Sequence, residues 1–121
     1  MDKSTFLKHI LADEGLYCIV GIRKRKVIPF FFETVEEAVE KCEALLANEN
    51  NVYFGCSKFG VAGSREAKNA KYMKAFWLDI DCGPNKPYLT QADGLRALQN
   101  FCVAVNLPKP TIVDSGYGIH C

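Results

Sequence analysis

Apolar and polar positions along this chain follow two different periods, and these periods predict its secondary structure. Apolar residues recur every three to four positions in three stretches, which is typical of helices with one buried face. Runs of β-branched and aromatic residues, bounded by turn residues, predict strands between them. The predicted helices run from a Ser4 cap to about Ala12, from a Thr34 cap to about Ala47 and from a Thr90 cap to about Val105; the predicted strands are Leu16–Ile22, Val27–Phe32, Val52–Cys56, Phe76–Asp81 and Thr111–Val113. This order predicts a mixed α/β layer fold.

The second and third predicted helices carry the clearest local signals. Thr34 followed three residues later by Glu37 is a capping box. Gly94, inside the third helix, weakens that helix by about 1 kcal/mol relative to alanine. The stripes predicted to be buried are Val35, Ala38, Val39, Cys42, Leu45 and Leu46 in the second helix, and Leu95, Leu98, Phe101, Cys102 and Val105 in the third.

The predicted strand Phe76–Asp81 carries two acids, Asp79 and Asp81. Residues i and i+2 of a strand point to the same face, so we expect both carboxylates to emerge side by side while Leu78 and Ile80 point into the layer beneath. Two close carboxylates repel each other unless a cation or a proton lies between them. Hard divalent ions such as Mg²⁺ take oxygen ligands and leave room for substrate phosphates. The pattern favours a metal site for phosphate chemistry, although charges that protect an edge strand from aggregation produce the same pattern.

The last eight residues form a glycine-rich segment after the final predicted strand. Gly116 and Gly118 permit backbone angles that are closed to other residues, and successive N–H groups in such a turn can bind an anion. Ser115 offers a hydroxyl, and His120 offers a donor that can meet a phosphate. If Ile119 begins a return strand, His120 projects from one face near the turn. Glycine-rich turns and single histidines are also common structural features, so this motif alone leaves both interpretations open.

Two segments concentrate positive charge. Arg23-Lys24-Arg25-Lys26 lies between the first two predicted strands and predicts a hairpin with a basic tip. The least regular stretch is Lys58–Tyr72. Together with Lys74 just after it, this stretch carries five basic residues against one acid, Glu66, and leads into the acidic strand. Each segment is interpreted either as a solvated turn or loop, or as a contact for phosphate groups.

Composition and charge limit these interpretations but do not choose between them. The 121 residues fit one domain, and 49% hydrophobic with 24% charged residues is ordinary for a globular protein. A formal net charge of +1 means that any basic footprint must be local. No segment has the pattern of a signal peptide or the length of a membrane span. The six cysteines form no Cys-x-x-Cys pair of the kind that binds metal. Because no secretion signal is present, we expect them to be reduced thiols in a cytosolic protein.

The acidic strand, the helix after it and the terminal motif together resemble the archaeo-eukaryotic primase superfamily, most closely the primase–polymerase domains of phages and mobile elements. In that family a hydrophobic strand bears an Asp-x-Asp metal motif. A Ser-x-His motif, which contacts the incoming nucleotide, follows it in the chain. Asp79 and Asp81 match the first motif. Ser115 and His120 match a phage-type variant of the second, which has a longer spacing and glycines between the two residues.

The resemblance implies a particular domain organisation. Residues 1–121 would be one primase-like domain, with an N-terminal helix–hairpin–helix–strand module at 1–60 and the first part of a catalytic core like an RNA-recognition motif at 61–121. The third acid of the family's metal site would lie beyond Cys121. We therefore expect the chain to be an N-terminal piece of a longer primase.

The resemblance also implies a reaction and its participants. The reaction would be metal-dependent nucleotidyl transfer that makes primers on a DNA template during phage or mobile-element replication, with Mg²⁺ or Mn²⁺ as cofactor. The implied residues are Asp79, Asp81 and His120 for catalysis, Asp79 and Asp81 for the metal, and Ser115, Gly116, Gly118 and His120 for the nucleotide. Arg65 and Lys71, from the basic stretch before the acidic strand, are further candidates for contacts to the nucleotide or to the template backbone. The implied partners are nucleoside triphosphates, a single-stranded DNA template and a replicative helicase, fused or separate, with no membrane. The implied location is the cytoplasm of a bacterial or phage-infected cell.

Two other functions remain open at this point. The same acids and histidine could serve a metal-dependent nuclease or phosphatase. Alternatively, the chain could be a non-catalytic nucleic-acid-binding module of a replication protein, whose acids are structural and whose basic segments make the contacts. Asp114 has two interpretations, as a nucleotide contact or as a cap of the turn.

Overall fold

The computed structural model describes all 121 residues, and their contacts divide the chain into two units, Met1–Ala75 and Phe76–Cys121. The fold is a small mixed α/β arrangement with three helices and three small antiparallel sheets, which confirms the predicted class. The helices are α1 (Lys3–Ile10), α2 (Val35–Ala47) and α3 (Gln91–Ala104); the strands are β1 (Tyr17–Arg23), β2 (Lys26–Phe32), β3 (Asn51–Phe54), β4 (Lys58–Phe59), β5 (Ala70–Tyr72), β6 (Asp79–Asp81), β7 (Val113–Asp114) and β8 (Gly118–His120).

The first unit is built around β1, which is the central strand of a sheet with the order β2-β1-β3. Its residues Cys18, Ile19 and Val20 are buried because α2 packs on one face of the strand and further side chains cover the other. The Phe59 ring, from β4, joins the cluster that contains Cys18 and Val20. Helix α1 packs against α2 and buries Leu7. This unit therefore has a hydrophobic core of its own.

The predicted basic hairpin is confirmed. β1 and β2 pair from Tyr17 opposite Phe32 to Arg23 opposite Lys26. The two residues between the strands have left-handed backbone angles, with φ of 49° at Lys24 and 66° at Arg25. Positive φ at both central residues is the geometry of a two-residue type I′ turn. The four cations Arg23–Lys26 are called the basic hairpin from here on.

The stretch expected to be irregular is held by two buried polar side chains. Asn69, at the end of a 3₁₀ turn, accepts a hydrogen bond from the Val61 amide and donates to the carbonyls of Val61 and Ser64. Lys58 is only 2% exposed, and its Nζ donates to the Asp13 carbonyl at 3.0 Å and lies 3.9 Å from the centre of the Tyr17 ring. Burial lowers the pKa of Lys58. Asn69 thus satisfies backbone groups of the loop itself, and Lys58 satisfies the Asp13 carbonyl outside it. These groups would otherwise lack hydrogen-bond partners within the protein.

The second unit is a three-stranded sheet with one helix. The strand order is β6-β8-β7, and β8 is antiparallel to both neighbours. β6 and β7 are therefore parallel, with α3 as the crossover between them and β8 inserted later, which is a split β-α-β arrangement. Gly94 allows α3 to approach β6, because a Cβ at that position would lie 2.8 Å from Cys82 Sγ and 3.1 Å from Ile80 Cγ2. The predicted cost of this glycine to the helix is thus offset by close packing on the sheet.

The predicted first helix has a different cap and a different end. Asp2, not Ser4, is the N-cap, and its carboxylate accepts from the Thr5 amide at 2.8 Å. The helix ends at Ile10 instead of Ala12, and Leu11 is already extended. Asp and Ser are about equally good caps, so the pattern could not choose between two candidates that lie two residues apart.

Several strands and stripes also differ from their predictions. The acidic strand covers only Asp79–Asp81, and Leu78 before it exchanges two backbone hydrogen bonds with Cys121. Leu78 is 46% exposed and does not fill the layer beneath as predicted, whereas Ile80 is half-buried. The strands expected at Val52–Cys56 and Thr111–Val113 are Asn51–Phe54 and Val113–Asp114. Stripe residues that the structure leaves exposed are Leu46, Phe101 and Val105.

Candidate functional site

The register of β6 against β8 determines which side chains share a face in the second unit. Asp79 lies opposite His120, and Asp81 lies opposite Gly118. Directly opposed residues of an antiparallel pair project to the same side of the sheet, as do residues two apart on one strand. Asp79, Asp81 and His120 therefore project from one face, called the acid face from here on.

Helix α3 covers the opposite face of the same sheet. A Cβ at Gly94 would lie 3.1 Å from Ile80 Cγ2 and 3.7 Å from Ile119 Cδ1, so the helix packs on these two alternate residues. Leu98 and Cys102 are buried on the helix side of this layer. Polar side chains are excluded from the packed face, and the acids and the histidine lie on the other one. The predicted pairing of the two carboxylates on one face is thus what the backbone produces.

The contact between Asp79 and His120 follows from the pairing type. Leu78 and Cys121 exchange both backbone hydrogen bonds, at 2.8 and 3.0 Å, so the next pair, Asp79 and His120, is a non-hydrogen-bonded pair. Side chains approach more closely in such pairs. His120 Nε2 lies 3.6 Å from Asp79 Oδ1, with side chains 49% and 72% exposed respectively. The imidazole lies just beyond hydrogen-bonding distance of this carboxylate, so a small rotation would let it donate either to Asp79 or to an anion beside it.

Gly118 is required by the close approach of β8 to β6. A Cβ at this position would collide with the carbonyl oxygen of Ile80 and lie 3.4 Å from its carbon. Gly118 lies directly opposite Asp81 in the register of β6 and β8. The glycine is therefore required by the approach of the two strands that determines this register.

The turn between β7 and β8 is closed by its own side chains. Asp114 Oδ1 accepts from the Gly116 amide at 2.7 Å, and Ser115 Oγ accepts from the Gly118 amide at 2.9 Å. Gly116 has a φ of +89°, which a residue with a side chain rarely adopts. The two amides that the sequence offers for anion binding are thus engaged within the turn, whereas the hydroxyl hydrogen of Ser115 remains available to donate. Asp114 acts here as the cap of the turn.

Gln91 is a positioning residue that sequence reasoning missed. Its Nε2 donates to Asp114 Oδ1 at 2.8 Å and to the Gly118 carbonyl at 3.1 Å, which ties the start of α3 to the glycine turn. Two hydrogen bonds lower the pKa of Asp114: the larger effect comes from the Gly116 amide and the smaller one from the Gln91 side chain. The only signal in the sequence was its place directly after the Thr90 cap, which says nothing about a residue 23 positions later.

Asp79 and Asp81 form a donor set that suits a hard divalent cation. Both are exposed, and Asp81 has no hydrogen-bond or ion-pair partner within the chain. Two carboxylates leave most positions around a Mg²⁺ or Mn²⁺ ion for water and substrate phosphates, which is common at phosphate-handling sites. No group of three or more His, Cys, Asp and Glu side chains is arranged to hold a metal ion.

Arg65 and Lys71, the other predicted nucleotide contacts, lie in the first unit. The remaining three cations of that segment have partners: Lys58 binds the Asp13 carbonyl, Lys68 pairs with Glu66 at 2.9 Å and Lys74 donates to the Lys8 carbonyl. Arg65 and Lys71 are exposed and form no ion pair. They are the cations of the segment that the fold leaves available.

Comparison with known proteins identifies no relative. No protein-family model, no curated protein and no solved structure matches the chain. None of its helices has the length and apolar character needed to cross a membrane.

Proposed function

We propose that the second unit is part of a metal-dependent nucleotidyl-transfer site of the primase–polymerase type, which makes primers on a DNA template. The observation that supports this most is the register that brings Asp79, Asp81 and His120 to one open face of the sheet. The split β-α-β order β6-β8-β7 adds support, since a core like an RNA-recognition motif begins with the same arrangement. A bacterial or phage-infected cytoplasm, and a helicase that works with the primase, belong to the same proposal.

The residues of the site have separate roles in binding and orienting the nucleotide. Asp79 and Asp81 would hold Mg²⁺ or Mn²⁺, which supplies charge neutralisation for the phosphates of a nucleoside triphosphate. Ser115 donates its hydroxyl hydrogen to a phosphate oxygen, while its Oγ keeps the turn closed through the Gly118 amide. His120 donates from Nε2 to a phosphate oxygen beside Asp79 and so balances charge that develops during transfer.

The decisive experiment is calorimetric titration of the protein with nucleoside triphosphate and Mn²⁺. Asp79→Asn/Asp81→Asn keeps the shape of both side chains and removes their charge, so we expect Mn²⁺-dependent affinity to fall at least about tenfold, equivalent to about 1.4 kcal/mol. Glu14→Gln/Glu40→Gln is the matched control, because it removes two exposed acids that form no ion pair. The control should bind like the wild type.

Three results would be informative against the proposal. Equal loss in both variants would show a net-charge effect, and no loss in the Asn variant would show that the acids do not hold the metal. Release of inorganic phosphate during the titration, or cleavage of DNA added with Mn²⁺ in a parallel assay, would favour a metal-dependent phosphatase or nuclease instead. Both acids are exposed and repel each other, so we expect the Asn variant to melt no lower than the wild type, which keeps the comparison valid.

A further inference from the structure

The basic hairpin is the most concentrated positive charge in the structure. Arg23, Lys24, Arg25 and Lys26 are consecutive, and all four are exposed at the end of the β1–β2 ribbon. Their only ion-pair partner is Glu49, whose Oε2 lies 3.8 Å from Arg23 Nη2, with the Glu49 side chain 87% exposed. A single exposed pair at this distance neutralises little charge. The hairpin therefore retains most of its positive potential.

The folded chain gains nothing from these residue types in these places. Arg23 lies directly opposite Lys26, and like charges in that position destabilise a strand pair. Lys24 and Arg25 have positive φ, where a type I′ turn favours Asn-Gly because glycine has no Cβ and asparagine tolerates left-handed angles. Asn-Gly at the turn and uncharged residues in place of Arg23 and Lys26 would remove both costs. A cluster of residues that is unfavourable for folding is best explained by a ligand that those residues bind.

We propose that the basic hairpin binds the phosphate backbone of a polynucleotide. Four cations within one turn match a ligand with closely repeated anionic groups, since each strand of nucleic acid carries one charge about every 3.4 Å. The two arginines can donate two parallel hydrogen bonds to one phosphate.

An anionic membrane fits the hairpin less well. The exposed apolar residues nearest the tip, Val27 and Ile28, lie on β2 behind the charges. A charged tip would have to enter the bilayer before these side chains could reach its apolar layer. The site lies in the first unit and needs no metal, so it stands independently of the nucleotidyl-transfer proposal.

The test is fluorescence anisotropy of a labelled 20-nucleotide single strand across a series of salt concentrations. Lys24→Asn/Arg25→Gly removes two charges and installs the preferred type I′ residues, so the hairpin should remain folded. We expect affinity to fall at least about tenfold and the slope of log K against log salt to flatten by about 1.4. Arg23→Gln/Lys26→Gln is a second variant that leaves the turn residues unchanged and should give a similar loss.

Two controls decide what a positive result means. Lys86→Gln/Lys109→Gln removes the same charge from exposed positions in the second unit, and we expect it to change affinity less than about twofold. An equal loss in this control would overturn the proposal, because binding would then reflect net charge alone. Hairpin-dependent sedimentation with phosphatidylserine vesicles, without binding to the oligonucleotide, would overturn it in favour of a membrane. Asp79→Asn/Asp81→Asn should bind the oligonucleotide normally even if it has lost nucleotide binding.

Discussion

At the scale of single residues, Gly118 links the fold to the acid face. A side chain there would collide with the Ile80 carbonyl, which cannot move without breaking the β6–β8 pairing. We expect Gly118→Ala to destabilise the protein by about 1–3 kcal/mol, the usual cost of overpacking. Urea unfolding measures this loss, and the same variant should weaken Mn²⁺-dependent nucleotide binding because Asp79 and His120 separate.

Gly116 provides the comparison for that prediction. A Cβ at Gly116 would have no neighbour within 4 Å, but the residue has a φ of +89°. Gly116→Ala should therefore cost only about 1 kcal/mol, through backbone strain alone. If Gly118→Ala proved no worse than Gly116→Ala, close strand approach would not be what requires glycine at Gly118.

The residue types of the candidate site could be predicted from the sequence, but their contacts could not. Strand alternation alone places Asp79 and Asp81 on one face. The 3.6 Å contact between Asp79 and His120 depends on which residues of β6 and β8 are opposed, and a shift of one residue would move the histidine to the other face. That register is set by packing against α3 and by the turn that Gln91 holds, neither of which has a local signal.

At the scale of elements, Asn69 determines the shape of the segment between β4 and β5. Its side chain makes three hydrogen bonds to the backbone of Val61 and Ser64 and is only 6% exposed. Asn69→Ala would leave these backbone groups without partners in a partly buried place. We expect a loss of about 2–4 kcal/mol in the free energy of unfolding, measured with urea.

Asn48 is the matched control for this prediction. Its amide also donates to a backbone carbonyl, that of Ala44, but the bond is exposed at the end of α2. Water can replace it, so Asn48→Ala should cost no more than about 1 kcal/mol. Similar losses in the two variants would mean that burial of Asn69 adds nothing to the stability of the segment.

Elements with strong local signals were predictable, and those fixed by tertiary contacts were not. The capping box of Thr34 and Glu37 is present, and helix α2 begins and ends where predicted. The segment around Asn69 has no periodic pattern, because its order comes from one side chain that binds backbone eight residues away. The register of β6 likewise has no local signal: which residue of β8 lies opposite Asp79 depends on a pairing between segments about 40 residues apart.

At the scale of the whole molecule, charge and core are distributed unevenly between the two units. Twelve of the fifteen lysines and arginines lie in Met1–Ala75. That unit also contains the largest sheet and the buried residues of β1. The second unit carries more acids than bases and exposes several large apolar side chains, including Phe76 and Tyr117. Polynucleotide binding and metal-dependent nucleotide binding are thus proposed for units of opposite charge balance.

This distribution predicts that the fragment Met1–Ala75 folds alone. Domains of this length can bury enough surface for independent stability, and we expect an unfolding free energy of about 4 kcal/mol, near the lower limit of 0.05 kcal/mol per residue. Ile19 is 1% exposed at the centre of the core, so Ile19→Val should cost about 0.5–1.5 kcal/mol in the fragment and in the full chain alike. Urea unfolding followed by circular dichroism measures both.

A folded fragment should keep the salt-dependent, metal-independent oligonucleotide affinity of the full chain, because the basic hairpin lies wholly within it. An unfolded fragment would show that the boundary between the two units near Ala75 is not a folding boundary.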